Sequence, residues 1–413
     1  MELEVGIVGT SQVRLFGLTC DERLRRLLSR RGVSSVTAGA PDTDAGPVLL
    51  LRGDYVYDER VLSALVEADD ELLLTSEGHP ELVIAARVMA SRSSAAVDVM
   101  RGAASTSLDE LRRESPTSLG RGLPGQLRKA QTPFAIRVSS DRVPALERLL
   151  YDASYKGVTD LVTKFVWPHP ARYVVKLCAI LRMRPNHITA LGFFLMLGAL
   201  WLFYVGHYGL GLLCGWTMTF LDTVDGKLAR TTVTSSRFGH FFDHVMDIVH
   251  PPFWYIAWGV GLNGEWTTPT PMVSMEGALY AVVAAYVLGR VVEGLCSCFV
   301  LSDIFVWRPF DSYFRLITAR RNPCMVMLTV AWAFGSPALG LWLVCAWSVL
   351  TTAVLIGRLV MAWRIKARSG PLRSWLLDVD LMATGPIPRR VRWFGQLERA
   401  PLPCDEAPIS AGS

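Results

Sequence analysis

The chain reads Asp222-Thr223-Val224-Asp225-Gly226-Lys227-Leu228-Ala229-Arg230 and, eight residues later, Gly239-x-x-x-Asp243-x-x-x-Asp247. Apolar segments long enough to cross a bilayer lie on both sides of this stretch. Carboxylates at membrane depth are costly and mark functional positions. The stretch therefore predicts a membrane-embedded site built around its four aspartates.

Helical spacing groups the four aspartates into two pairs. At about 100° per residue, Asp222 and Asp225 share one face of a helix. Asp243 and Asp247 are one turn apart and share a face of the next helix. The polar, partly β-branched segment 231–236 between them suits the end of one helix and the cap of the next. Two antiparallel helices would then direct four carboxylates into one pocket.

The chemistry of such a pocket favours bound metal. Unpaired carboxylates would repel one another and would be costly to desolvate. Divalent cations relieve both costs, and oxygen ligands favour Mg²⁺, Mn²⁺ or Ca²⁺ over zinc. Gly226, Ala229 and Gly239 leave room for a ligand near the backbone, and Arg230 offers a planar fork suited to phosphate oxygens. Paired metals that face such an arginine indicate displacement at phosphorus.

The whole pattern resembles the signature of the CDP-alcohol phosphatidyltransferase family at every defined position. The resemblance covers residues 150–368 and includes Pro185-Asn186-His-Ile-Thr189, which is similar to the P-N-x-x-T start of the family's first membrane helix. It implies a transferase of phospholipid biosynthesis that depends on Mg²⁺ or Mn²⁺, with two ions in the site. The enzyme would move a phospho-alcohol group from a CDP-linked donor to an acceptor hydroxyl and release CMP.

The resemblance also implies roles for single residues. Asp222, Asp225 and Asp243 would hold the metals, and Asp247 would complete the site. Asp243 and Asp247 would be catalytic, Asp247 as general base for the acceptor hydroxyl. The CDP moiety would contact Gly226, Ala229, Arg230 and Gly239.

Four further arginines are candidates for an acceptor-phosphate pocket, as in family members that use glycerol phosphate or inositol phosphate: Arg290, Arg320, Arg321 and Arg358. The alternative is a buried ion pair between Arg290 and Glu293, with Arg358 reaching towards lipid headgroups. The acceptor itself is either a polar alcohol phosphate or a lipid alcohol, because the motif reads only the CDP moiety.

The apolar segments predict six membrane helices at 187–206, 209–230, 237–262, 276–300, 323–340 and 341–364. The first, third and fifth connections contain no lysine or arginine, whereas the opposite side is strongly basic at the helix ends and in its loops. This asymmetry predicts a multi-pass protein of the cytoplasmic (inner) membrane with both termini in the cytoplasm. The basic, aromatic stretch 151–183 suits a juxtamembrane helix at the interface.

The first third of the chain has a different character. Residues 1–113 predict a small cytosolic α/β domain with a largely parallel sheet. Its strands are expected at Val5–Val8, Val48–Leu51 and Glu71–Leu74, and its helices at Glu22–Arg31, Asp58–Glu67 and Pro80–Met89. Gly9–Thr19 and Leu49–Asp54 faintly resemble sugar-nucleotide nucleotidyltransferases, but the glycine-rich loop is reduced to Gly9. A degenerate, non-catalytic domain is expected.

The predicted organisation is therefore an all-α polytopic membrane domain fused to this α/β domain. Its segments are 1–113, a linker at 114–150, the membrane domain at 151–368 and a cytosolic tail at 369–413. A net charge of +5 is modest, and no nucleic-acid partner is expected. The family resemblance implies a homodimer. Alternatives are transfer of a CDP-linked head group to a diacylglycerol- or ceramide-like lipid, a bifunctional cytidylyltransferase–polyol-phosphate transferase, and a non-catalytic scaffold.

Overall fold

The structure, a computed structural model, describes residues 3–43, 45–103, 106–120, 132–235, 237–266, 274–300, 303–379 and 388–394. The side chain of Asp243 lies outside the described part of the chain. The described residues form two compact units. One comprises 3–155 with 231–233, and the other comprises 156–230 with 234–394.

The first unit is an α/β structure around a six-stranded sheet of order β2-β1-β3-β6-β5-β7, beside a two-stranded sheet of β4 and β8. Its elements are β1 (Glu4–Val8), α1 (Cys20–Arg30), β2 (Val36–Ala38), β3 (Pro47–Arg52), β4 (Tyr55–Tyr57), α2 (Glu59–Glu67), β5 (Leu72–Ser76), β6 (His79–Met89), α3 (Ser93–Met100), β7 (Arg112–Glu114), α4 (Pro116–Leu119), β8 (Ala135–Arg137) and α5 (Val143–Ala153). The α/β class of this region is confirmed. Strands β1 and β3 run parallel, with Val5 opposite Leu49.

The sheet is mixed rather than largely parallel, because β6 is antiparallel to both β3 and β5. The helix expected at Pro80–Met89 is wrong, since this segment is strand β6. Its centre, from Val83 to Ala86, is buried. Gly78, with a φ of +82°, makes the tight turn that returns the chain from β5. A short apolar run fits a buried strand as well as a helix, so its spacing alone was ambiguous.

The predicted boundary at residue 113 also differs from the structure. The described part of the expected linker 114–150 contains α4, β8 and much of α5, all within the first unit. Strand β8 pairs with β4, and Leu146 of α5 is buried against Leu15 and Val56. Because β8 gains its strand character from a partner far away in sequence, its three residues carry no strand pattern of their own.

The second unit is helical. Its elements are α6 (Leu161–Phe165), α7 (Pro168–Ile180), α8 (Pro185–Tyr204), α9 (Tyr208–Thr231), α10 (Arg237–Gly261), α11 (Met275–Phe299), α12 (Pro309–Ile317), α13 (Arg321–Ala333), α14 (Pro337–Ser369) and α15 (Arg389–Phe394). The single juxtamembrane helix expected over 151–183 is divided into α6 and α7, because Pro168 starts a new helix.

Helices are present at all six predicted spans, but within the described residues only α8, α11 and α14 are long and apolar enough to cross a membrane by length and composition. The predicted count of six is therefore not reproduced. Helix α13 has 13 residues, which is short of the roughly 20 that span a bilayer core. Helix α9 carries the charges of the aspartate motif within its last three turns.

Helices α8 and α10 pack against each other, and specific contacts fix their position along each other's axis. The Trp254 indole on α10 donates a hydrogen bond to the Met196 carbonyl on α8, at 3.1 Å. At the end of α10, a Cβ on Gly261 would lie 2.0 Å from the Phe203 carbonyl oxygen, so only glycine permits this approach. The two helices that carry Thr189 and Asp247 are thereby held side by side.

The described part of the predicted tail 369–413 packs within the second unit. The Trp375 indole donates to the Ser312 hydroxyl on α12, at 3.0 Å. Phe394 of α15 is buried, with its ring centroid 4.9 Å from that of Tyr313. These residues are therefore part of the helical unit and do not form a separate extension. The segment Pro401–Ser413 lies outside the described residues.

Candidate active site

Two of the predicted aspartates lie one turn apart on α9. Asp225 is 5 % exposed, and its Oδ2 accepts a hydrogen bond from the Thr189 hydroxyl of α8, at 2.6 Å. Asp222 is partly buried on the same helix. The helical spacing of the motif thus gives the shared face that was expected, and α8 supplies a donor that fixes one carboxylate.

Asp247 on α10 is linked to Asp222 on α9 by one arginine side chain. The guanidinium of Arg321, the first residue of α13, donates to Asp222 Oδ2 and to Asp247 Oδ1, both at 2.6 Å. The Arg321 side chain is 13 % exposed. Three helices are therefore joined at one guanidinium, with a carboxylate from α9 on one side and a carboxylate from α10 on the other.

These carboxylates line one cleft in the second unit. Its walls are Ile188, Thr189, Gly192, Phe193, Met196, Met218, Asp222, Asp225, Phe242, Met246 and Asp247. Three of the four aspartates predicted as metal ligands thus line the same cleft, two from α9 and one from α10. Asp243 is one turn before Asp247 on α10, and its side chain lies outside the described residues.

The donors at the cleft suit a hard divalent cation, because they are carboxylate oxygens on opposed helices. Arg321 contacts one oxygen of Asp222 and one oxygen of Asp247. Among the side chains that the structure describes, no three His, Cys, Asp or Glu residues already form a closed ligand set. Carboxylate oxygens remain the donor type that a hard divalent cation prefers, and the spacing of the motif would add Asp243 as a further ligand.

The residues expected to meet the CDP moiety lie on the same two helices as the aspartates. Gly226 and Ala229 follow Asp225 on α9, and Gly239 lies in the first turn of α10. A Cβ on Gly226 would lie 3.1 Å from Arg230 Nη2. The missing side chain thus leaves space for the Arg230 guanidinium against the helix backbone, where it can face a phosphate.

The four arginines expected in one acceptor pocket are divided among three places. Arg290 Nη2 lies 2.7 Å from Glu293 Oε1, and Arg320 binds the second oxygen of Glu293. Arg321 belongs to the aspartate cluster described above. The alternative reading of an Arg290–Glu293 pair is confirmed, and the expected single cluster of four is wrong.

Arg358 has a partner of its own. It makes two hydrogen bonds to Asp311 of α12, at 2.6 and 2.7 Å, and its guanidinium lies 4.4 Å from the ring centroid of Trp307. The expectation that it extends towards headgroups is therefore wrong. Asp311, 3 % exposed, was not recognised from the sequence as its partner.

A second cavity lies next to Arg290. Its walls are Ala285, Tyr286, Gly289, Arg290, Ala319, Ser348, Thr351, Thr352 and Leu355. Hydroxyl groups and a guanidinium thus line a space between α11 and α14, whose contact includes a 2.8 Å hydrogen bond from Thr352 to the Ala285 carbonyl. Such a lining suits a polar, anionic group better than a lipid chain.

The contacts of two residues at the site were not predicted from the sequence. Thr189 was noted only as part of a helix-start pattern, but its hydroxyl lies within hydrogen-bond distance of both the Pro185 carbonyl, one turn earlier, and Asp225 on α9. Arg321 was assigned to the acceptor. Arg320 is the N-cap of α13, with an extended backbone, and Arg321 is the first residue of the helix. Only the packing tells which of these two adjacent arginines meets the aspartates.

The beginning of α13 is anchored by α6. Asn322 donates to Asp160 Oδ1 at 3.0 Å and to Thr163 Oγ1 at 3.1 Å. Burial alone would raise the pKa of Asp160, but the charge of Arg315 and the hydrogen bonds from Thr163 and Asn322 hold it below its usual range. Asp160 is therefore ionised at neutral pH, and it fixes the residue that follows Arg321.

Comparison with known proteins places the cleft within a recognised domain. Residues 182–310 match the family model of the CDP-alcohol phosphatidyltransferases. The chain is 35 % identical over 95 residues to an archaetidylinositol phosphate synthase of Pyrococcus horikoshii, a match that covers 23 % of this chain and 50 % of that protein. The chain thus spans about half the length of the curated relative it matches. The family resemblance of the aspartate motif is confirmed: residues 182–310 form a CDP-alcohol phosphatidyltransferase domain, the domain of a family of transferases.

Proposed function

We propose that this protein is an integral-membrane phosphotransferase of phospholipid biosynthesis. It transfers a phospho-alcohol group from a CDP-linked donor to an acceptor hydroxyl and releases CMP. The observation that carries the proposal is the convergence of Asp222, Asp225 and Asp247 on one cleft inside the matched domain. A retained scaffold without activity would have no need to keep these carboxylates together.

In the proposed reaction, each group around the cleft has a task. Asp222, Asp225 and Asp243 would hold one or two Mg²⁺ or Mn²⁺ ions, which when bound supply charge stabilisation at the donor's pyrophosphate. Arg230 binds a phosphate oxygen of the CDP moiety, and Thr189 keeps the Asp225 carboxylate oriented. Asp247 accepts the proton of the acceptor hydroxyl. As the new oxygen–phosphorus bond forms, the bond to the CMP phosphate breaks.

The direct test is CMP release by the purified full-length protein in lipid nanodiscs, with CDP-diacylglycerol, CDP-choline and a panel of alcohols and alcohol phosphates. We expect release that requires both a CDP-linked donor and an acceptor, together with Mg²⁺ or Mn²⁺. Mass spectrometry of the lipid product identifies the transferred group. No CMP release with any donor would contradict the proposal.

We further propose that the acceptor is an anionic alcohol phosphate. Arg290 and Arg320 share the one carboxylate of Glu293, which leaves a net positive charge beside the polar cavity. The relative from Pyrococcus horikoshii is named as a synthase of an inositol phosphate lipid. A polyol phosphate such as inositol phosphate would satisfy both observations, with a CDP-linked lipid as the donor.

Arg290→Ala tests the acceptor. We expect the KM for an anionic acceptor to rise at least about tenfold, because a charge-assisted contact of roughly 1.5–3 kcal/mol is lost. The KM for the CDP-linked donor should not change. Steady-state kinetics would measure both constants, with the exposed Arg373→Ala as a control for the loss of one charge. An unchanged acceptor KM would favour the alternative, transfer of a CDP-linked head group to a diacylglycerol- or ceramide-like alcohol.

We propose that α8, α9, α10, α11, α13 and α14 all cross the cytoplasmic membrane, with both termini inside. The 13-residue α13 would cross where the bilayer is locally thinned. Three of these helices are sufficiently apolar. The connections at 206–209, 263–275 and 335–337 fall on one side and contain no lysine or arginine, whereas the opposite side carries Arg230, Arg237 and other basic residues. Helices α9, α10 and α13 would bury their polar groups against one another in the bundle, as the Arg321 contacts illustrate.

Reporter fusions test this topology. Alkaline phosphatase fused after residue 206, 264 or 336 should be active, because these connections would lie outside the cytoplasm. Green fluorescent protein fused after residue 379 should be fluorescent in the cytoplasm. An inactive phosphatase after residue 336 would show that α13 does not cross. We also propose a homodimer, on the family resemblance alone, which light scattering of the nanodisc-embedded protein would test.

We propose that the first unit is a degenerate, non-catalytic domain. Asp54, the aspartate that resembles a nucleotidyltransferase metal ligand, is held by Arg52 at 2.8 and 2.9 Å and by Arg137 at 3.1 Å. A carboxylate bound by two guanidinium groups is occupied in a structural role. The bifunctional alternative requires pyrophosphate release from CTP and a polyol phosphate by the full-length protein.

A further inference from the structure

Arg321 differs from Arg290, Arg320 and Arg358 in what it touches. Arg358 satisfies a single carboxylate, that of Asp311, and Arg290 shares Glu293 with Arg320. Arg321 instead spans two carboxylates from different helices, both of which line the cleft. Its positive charge thus lies among the oxygens that suit a divalent cation.

The backbone at Arg321 is anchored by hydrogen bonds of the residue that follows it. It is the first residue of α13, and the next residue, Asn322, is 4 % exposed and bonded to Asp160 and Thr163 of the α6 region. The backbone from which the Arg321 side chain extends is therefore anchored to another element. Because this backbone is anchored, the contacts of Arg321 with Asp222 and Asp247 are part of the packed structure.

We propose that Arg321 is a resident counter-cation of the carboxylate cluster. It holds α9 and α10 together by neutralising Asp222 and Asp247, and it competes with divalent cations for the same oxygens. The inference rests on the proposed function, since it concerns the affinity of that site for its metal. Arg321 is a positioning residue in this account: it sets how tightly the site binds a divalent cation and how stable the helix pair is without one.

The physical argument is one of charge. Two carboxylates that face each other repel unless a cation lies between them. Where a fixed guanidinium already neutralises part of that charge, a divalent cation gains less on binding, since it is repelled by the guanidinium and shares its ligands. Removing the guanidinium should therefore tighten metal binding and weaken the fold in the absence of metal. A residue with a purely structural role would weaken the fold when removed but would not tighten metal binding, so the two effects together distinguish the proposal.

The test is Mn²⁺ binding, measured by the electron paramagnetic resonance signal of free Mn²⁺, on the full-length protein in nanodiscs. We expect Arg321→Gln to bind Mn²⁺ about tenfold more tightly than the wild type. Arg358→Gln is the matched control, because both arginine side chains are 13 % exposed and each makes two hydrogen bonds to carboxylate oxygens. Its Mn²⁺ affinity should stay within about twofold of the wild type.

Thermal unfolding supplies a second readout. In EDTA, Arg321→Gln should melt at a lower temperature than the wild type, and the increase in its melting temperature with saturating Mn²⁺ should be larger. If Arg321→Gln cannot be isolated, Arg321→Lys tests the charge argument, because lysine keeps the positive charge but lacks the two-pronged guanidinium. Its Mn²⁺ affinity should stay within about threefold of the wild type. A tenfold tighter site in Arg321→Lys would contradict the charge argument.

Asp225→Asn separates the failure of this inference from the failure of the proposed function. If Asp225→Asn weakens Mn²⁺ binding while Arg321→Gln binds as the wild type does or less tightly, the cleft is a metal site and the counter-cation role is wrong. A loss of acceptor affinity in Arg321→Gln, with unchanged Mn²⁺ affinity, would instead assign Arg321 to the substrate. If the wild type and Asp225→Asn bind Mn²⁺ equally weakly, the proposed metal site itself is wrong, and the inference fails with it.

Discussion

Asp247→Asn is expected to reduce CMP release by roughly 10³-fold, within the range of 10²–10⁴ for the loss of a general base. The amide of asparagine cannot accept the proton of the acceptor hydroxyl at neutral pH. It is also a weaker ligand for a divalent cation than a carboxylate. The measurement is the initial rate of CMP release in nanodiscs at saturating donor and acceptor.

The fold should survive this change. The Asp247 side chain is 41 % exposed, and Arg321 keeps its contact with Asp222 when Asp247 is neutral. Far-UV circular dichroism and the melting temperature would check this, with the exposed Asp378→Asn as a matched control that should turn over normally. Turnover of Asp247→Asn within a factor of about five of the wild type would show that the motif has been misinterpreted.

Asp311→Ala is expected to cause the largest loss of stability, about 3–5 kcal/mol, because it leaves the guanidinium of Arg358 buried without a counter-charge. The two side chains are 3 % and 13 % exposed and share two hydrogen bonds. Asp311 also accepts a hydrogen bond from the backbone N–H of Arg308 at the start of α12, at 3.0 Å, so the substitution removes a helix cap as well. Denaturant unfolding in detergent micelles would measure the change.

The matched comparison is Asp378→Ala, an exposed carboxylate that should change the free energy of unfolding by less than about 0.5 kcal/mol. The double variant Asp311→Leu with Arg358→Met should recover much of the loss, since replacing both partners of a buried ion pair by apolar side chains is often neutral. A loss below about 1 kcal/mol in Asp311→Ala would mean that water or lipid headgroups solvate Arg358.

The aspartate motif shows how far the primary structure alone was sufficient. The spacing of Asp222 and Asp225 requires only helical geometry to give one face, and apolar flanks placed both on a long helix. The same local periodicity predicted helices at the six positions and the α/β character of the first unit. The family followed from residues at fixed offsets along the chain, which is information that does not depend on packing.

Tertiary packing was required wherever the outcome depended on a distant partner. The chain between Pro80 and Met89 became a strand because β3 and β5 bind it on both sides. Of two adjacent arginines, Arg321 faces the aspartates and Arg320 faces Glu293, because the anchor at Asn322 sets the rotation of α13. Ion pairs between helices are decided by contacts across the fold, since a charge finds its partner by distance in space and not by spacing in sequence.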